Sequence, residues 1–317
     1  MEKRIVIALG GNTLENKALP PTAESQLSVM REAAACIADV IGQGHEVIIT
    51  HGNEPQIGRI VLSTEGSAEL TPAMPLDVCG AMSQGYMGYH LQQALQAELK
   101  RRGIKKCVAT IVTQVVVNEN DPGFAKPAIP VGPFYTKAEA DRIAAEKGYV
   151  MKEDSGKGYR RFVASPLPQH IKELEAIEGL VQSGAVVIAC GGGGIPVVEK
   201  KGESFGVAAA IDKDFASVKL AEEIKANMLV FLTGVPGVYI NYGKPDEKQL
   251  RDCMIYDMDK YVADGHFAPD SMLPKVKAAM MFANLHNQYT SIITSLDRVG
   301  EAVEGNEGTR ITKWSIN

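Results

Sequence analysis

Two short runs carry lysines where an anion could use them. Ala209-Ala210-Ile211-Asp212-Lys213-Asp214 leads into a helical pattern carrying Leu220, so Asp212 and Asp214 flank Lys213 at a helix start. Ser271-Met272-Leu273-Pro274-Lys275 places a second lysine just after a proline, the residue that favours the first helical turn. Four apolar runs end in glycine: at Gly10-Gly11-Asn12, at His51-Gly52-Asn53, at Gly191 to Gly194, and at Thr233-Gly234. Glycine lets backbone N–H groups approach an anion closely, and a helix N-terminus adds partial positive charge. Lysines and glycine tips together suit phosphoryl transfer, where catalysis is mostly positioning and charge neutralisation.

Other chemistries fit less well. There is no GxxxxGK[ST] loop, and Pro196 breaks the dinucleotide GxGxxG pattern after the glycine run, so a dehydrogenase reading fails. The six histidines are scattered, with no HExxH and no metal-ligand spacing, so no protein-held metal is expected. His51 is a candidate base, although a histidine at a strand end more often has a structural role. A formal charge of -5 argues against a nucleic-acid partner. Five widely spaced cysteines without a CxxC point to reduced thiols in the cytosol. No apolar run approaches a membrane span.

These residues need a scaffold that gathers strand ends. The glycine-tipped runs, such as Ile5 to Leu9 and Val186 to Cys190, are apolar without alternation and read as strands buried on both faces. Between them, Leu27, Met30, Ala34, Ile37 and Ile41 form one helical face, as do Leu91, Leu95 and Leu99 before Gly103. Val108 to Val117 reads as one further strand. The alternation predicts an α/β protein whose mainly parallel sheet carries ligands at its carboxyl ends. Pro122, Pro127, Pro130 and Pro133, followed by the charged run 152–161, mark about 118–168 as a protruding subdomain.

Ala8 to Asn12, His51 to Asn53 with Pro55-Gln56, Cys190 to Val197, Ile211 to Ser217, Ile240 to Pro245 and Met272 to Lys275 occur in an order that resembles the carbamate kinases of the amino acid kinase superfamily. The likeness runs from residue 3 to about 311. It implies a three-layer αβα sandwich and a homodimer that converts carbamoyl phosphate and MgADP to ATP and carbamate. It also implies one domain over 1–317, with a substrate lobe of about 1–185 and a nucleotide lobe of about 186–317. Gly10, Gly11, Asn12, Gly52 and Asn53 would then bind the carbamoyl phosphate group. Lys213 would neutralise charge on the transferred group, with Asp214 orienting it and Lys275 beside it. Gly191, Gly192, Gly193, Thr233, Tyr242, Met272 and Lys275 would face ATP or ADP.

The sequence also departs from the family pattern. Glu54 stands where glycine is usual, Ile129 where a lysine reaches the active site, Leu167 where lysine is usual, Asp270 where glycine is usual, and Lys157 where arginine is usual. Lys126, three residues before Ile129, is the candidate replacement cation. These changes keep two further readings open. One is a nucleotide- or anion-binding protein with weak or lost catalysis; the other is a kinase of another small carboxylate.

Overall fold

Ile5, Ile7 and Leu9 of the strand Arg4–Leu9 face one hydrophobic cluster, and Val6 and Ala8 face another; all five are buried. A strand buried on both sides requires a helical layer on each. That arrangement is seen in a computed structural model of the chain, which describes residues 2–11, 14–15, 18–269 and 271–314. The helices Ala23–Gly42 and Leu76–Arg101 cover one face through Met30, Ile37, Leu91 and Leu95. Leu174–Gln182, Lys213–Glu223 and Met272–Leu285 cover the other through Ile177, Leu220 and Ala279.

The central sheet has the order Asp252–Met254, Thr309–Thr312, Thr290–Ser295, Met228–Thr233, Arg4–Leu9, Glu46–His51, Val186–Ile188, Val108–Thr110. Neighbours from Thr290–Ser295 to Val108–Thr110 are parallel. Thr309–Thr312 runs antiparallel to Thr290–Ser295, and Asp252–Met254 follows its direction. The sheet is therefore mixed but largely parallel, and the α/β expectation holds.

The stretch read as one strand over Val108 to Val117 is two. Val108–Thr110 ends in the central sheet, and Gln114–Val117 joins a four-stranded sheet with Ile195–Lys200, Glu203–Gly206 and Pro168–Ile171. Side chains replace ladder partners at the break. Thr113 N–H donates to the Gln84 amide oxygen at 2.7 Å, and Gln84 Nε2 donates to the Thr113 carbonyl at 3.1 Å.

Residues 129–163 form a separate antiparallel sheet in the order Ile129–Tyr135, Tyr159–Val163, Val150–Glu153, with the helix Lys137–Lys147 beside it. Pro130 and Pro133 lie on its edge strand, where the pairing slips between Val131 and Tyr135, so neither proline interrupts a central ladder. The charged run 152–161 spans the turn between its last two strands. Val131 and Val163 anchor this sheet against Val61, Leu76 and Cys79. Glu65 of the helix Glu54–Gly66 accepts from Lys147 and from Tyr149.

The helix Leu76–Arg101 crosses the sheet edge closely. A Cβ at Gly88 would fall 2.2 Å from Thr110 Cγ2 and 3.1 Å from Thr110 Cβ. Threonine is β-branched and stiff, so it yields poorly. Gly88→Ala should therefore destabilise by about 1–3 kcal/mol through overpacking, outweighing the roughly 1 kcal/mol gain in helix propensity. The expected observation is a lower urea midpoint at unchanged m-value.

Candidate active site

The chain leaves Arg4–Leu9 for Glu46–His51 on one side and later returns as Met228–Thr233 on the other, which makes a switch point at the first strand. Such points open a crevice beyond the carboxyl strand ends. A cavity of about 520 Å³ lies there, lined by both glycine tips, both lysines and Thr233-Gly234.

Gly10, Gly11, Gly52 and Asn53 form its first cradle. A Cβ at Gly52 would fall 2.8 Å from the Gly11 nitrogen, so the two tips meet only because residue 52 is glycine. Asn53 Nδ2 donates to Ser83 Oγ at 2.6 Å, which fixes the second tip. His51 does not line the cavity. It is buried, with Nδ1 3.0 Å from the Gly52 carbonyl, and burial pushes its ring below the usual histidine range, so it is a neutral support behind the tip. Asn12 lies outside the described residues.

The four-glycine run lies against this cradle. Gly192, at φ 65°, packs so tightly on Asn53 that a Cβ would meet its amide at 2.1 Å. Gly193, at φ 91°, leaves room for the Ile211 carbonyl just before the lysine helix. Gly192 and Gly194 line the cavity, whereas Gly191 and Gly193 are buried in the wall behind it. Gln84 holds the run by donating to the Gly191 carbonyl at 3.0 Å.

Lys213 opens the helix Lys213–Glu223, and Asp212 caps it by accepting from Asp214 N–H at 2.8 Å. Asp214 is only 4% exposed and bridges two cations. Its Oδ1 accepts from Lys213, and its Oδ2 accepts from Lys275 at 2.9 Å. Burial opposes ionisation of Asp214, but the two ammonium groups outweigh it and hold the carboxyl below the usual range. Burial, then the neighbouring Asp214 charge, pushes Asp212 up. Burial, and then Lys213, pushes Lys275 down, with Asp214 opposing. Asp212 also lines the cavity, so two lysines and two carboxylates form one interacting charged cluster at its wall.

Thr233, Tyr242 and Met272 line the same cavity. Tyr242 is exposed, and its ring meets Tyr239 edge-on at 5.7 Å. Glu54 and Ile129 also line it, whereas Lys126 and Leu167 do not and are both exposed. The replacement cation expected at Lys126 is thus not brought to the cavity. Asp270 lies outside the described residues. Sequence reasoning missed Ser83, Gln84 and Thr113. Their available signal was two polar residues on the buried face of a helix, at 83 and 84 beside Met87 and Leu91.

Residues 3–294 match the amino acid kinase family. The chain is 51% identical to the carbamate kinase of Clostridium perfringens, over 98% of this chain and 100% of that relative. It is 48% identical to the carbamate kinase of Pyrococcus horikoshii, over 98% of this chain and 100% of that relative. The solved structure of carbamate kinase from Giardia lamblia bound to AMP-PNP superposes with a TM-score of 0.92 at 40% identity, covering 98% of each chain. With its glycine tips and lysine pair at one cavity, this chain belongs to the carbamate kinases of the amino acid kinase family.

Proposed function

We propose that this phosphotransferase moves a phosphoryl group reversibly between carbamoyl phosphate and ADP, giving ATP and carbamate, which breaks down to ammonia and carbon dioxide. The observation that carries this reading is the Lys213–Asp214–Lys275 bridge set between the paired glycine tips and the Tyr242–Met272 end of one cavity. Gly10, Gly11, Gly52 and Asn53 would hold the carbamoyl phosphate through backbone N–H groups. Tyr242 and Met272 would hold the nucleotide. Lys213 and Lys275 would meet the charge that spreads over the phosphoryl oxygens in the transition state. The family's Giardia member bound to AMP-PNP supports a nucleotide as one of the ligands. On this reading, residues up to about 185 form a substrate lobe and those beyond it a nucleotide lobe.

Among the described residues, no group of three or more His, Cys, Asp or Glu could cage a metal. Asp214 is already taken by both lysines, and one Asp212 oxygen by the Asp214 amide. Magnesium usually arrives on nucleotide phosphates with few protein ligands, and this cavity suits that mode. It would supply further neutralisation of phosphate charge. A homodimer is the proposed assembly, supported by exposed Val78, Met82 and Tyr89 along one face of Leu76–Arg101. A cytosolic location is supported by the five unpaired cysteines.

A reading as a nucleotide-binding protein without turnover has one observation in its favour. Ile129 and Glu54 stand in the cavity wall where an anion site would gain from cations. ATP formation from carbamoyl phosphate and MgADP, read by a coupled assay, separates the two. Turnover is expected; ADP binding without turnover would support the binding protein. Lys213→Ala should lower kcat by about 100-fold or more, as loss of a transition-state charge partner does, while its circular dichroism stays unchanged. The pH profile gives a further test. Lys275 acts as a cation, and its pKa is depressed, so its charge is lost at lower pH than an ordinary lysine loses it. The rate should fall with rising pH on a limb below the usual lysine range, and Lys275→Arg should remove that limb because guanidinium stays charged. Met82→Asp should shift the sedimentation of the dimer towards monomer.

A further inference from the structure

The tip that carries Gly52 and Asn53 continues directly into Glu54, the first residue of the helix Glu54–Gly66. Glu54 lines the cavity, is exposed, and has no hydrogen-bond or ion-pair partner among the described residues. Ile57 and Ile129 in the same lining are apolar and offer it nothing. The helix N-terminus stabilises its negative charge, so the carboxylate is maintained there at little cost to the fold. An ionised carboxylate only accepts hydrogen bonds. Phosphoryl and carbonyl oxygens likewise only accept, so most of an acyl phosphate has nothing to give it. The carbamoyl group alone differs, because its NH2 carries two donors.

We propose that Glu54 accepts from the carbamoyl NH2 group and thereby selects carbamoyl phosphate over acyl phosphates that carry a methyl group at that position. The proposal rests on the carbamoyl phosphate reading of the site. It assigns a use to a charge that otherwise sits unpaired beside the paired glycine tips. Discrimination of this kind is strong in enzymes, because an analogue that lacks the donor leaves the site's polar group unpaired. It should be weaker at Glu54, where an exposed carboxylate can keep its water.

The test compares carbamoyl phosphate with acetyl phosphate, each with MgADP, as a ratio of kcat/KM. Glu54→Ala should lower that ratio by about tenfold or more, with the loss in KM for carbamoyl phosphate. Glu54→Gln keeps one acceptor oxygen and should retain part of the ratio, a rescue that a purely structural role would not produce. A ratio in Glu54→Ala within twofold of the parent overturns the proposal. Calorimetric binding of the two acyl phosphates to the same proteins separates this outcome from failure of the kinase reading. Discrimination in binding that depends on Glu54, without ATP formation, would overturn the kinase reading alone. ATP formation with an unchanged ratio would overturn the role of Glu54 alone. Neither ATP nor discrimination overturns both.

Discussion

A buried carboxylate shared by two lysines is the constraint on which the site depends. Without Asp214, Lys213 and Lys275 would be two half-buried ammonium groups in one low-dielectric pocket, each disfavouring the other's charge. With it, both can stay cationic at the cavity wall. The arrangement requires the N-termini of Lys213–Glu223 and Met272–Leu285 to converge, and their apolar faces share one core cluster behind the lysines. A hydroxyl chain ties this centre to the cradle of paired glycine tips. Ser217 Oγ donates to the Lys213 carbonyl at 2.6 Å and meets Thr50 Oγ1 at 2.6 Å, in the strand Glu46–His51 that leads into Gly52. Cation and cradle are therefore set by the same two elements.

The second constraint is the close approach of backbone to backbone. Gly52 against Gly11, Gly192 against Asn53 and Gly193 against the Ile211 carbonyl leave no room for a Cβ. These contacts draw three strand ends and the start of the lysine helix to one point. The four-glycine run thus acts mainly as a wedge that positions Asn53 and Ile211, and only Gly192 and Gly194 reach the cavity surface. A second phosphate cradle at this run is not needed to explain its composition.

What was legible in the sequence was local. Buried strands show as unbroken apolar runs, and Asp212-Lys213-Asp214 marks a helix start by its own chemistry. The end of the helix at Arg101, just before Gly103, and the edge position of Pro130 and Pro133 follow from single residues in the same way. What was hidden depends on partners far along the chain. The break at Thr113 exists because Gln84, 29 residues away, supplies the missing bonds. The wedge role of Gly191 and Gly193 depends on His51 and Ile211, and no spacing rule links glycine to either. Lys126 looked suited to replace a cation because it is near Ile129 in sequence. The turn Pro122–Ala125 and the strand after it carry the two residues to different surroundings.

That separation bears on how charge is distributed in the cavity. The subdomain docks through Val131, Val163 and the Glu65 contacts, so its edge strand is held at the cavity wall. It presents Ile129 there, an apolar group that also packs with Val61 and Leu76. Positive charge from side chains at the cavity surface therefore comes from the Asp214 centre, reinforced by backbone N–H groups at the glycine tips. Glu54 sits on one of those tips, where a phosphoryl group would be repelled if it came too near. A carboxylate there is tolerable only if the phosphoryl group lies towards the lysines and the other end of the substrate lies towards residue 54. The two charges of opposite sign would thus orient a small asymmetric acyl phosphate along the cavity, which neither a cation nor an apolar wall alone could do.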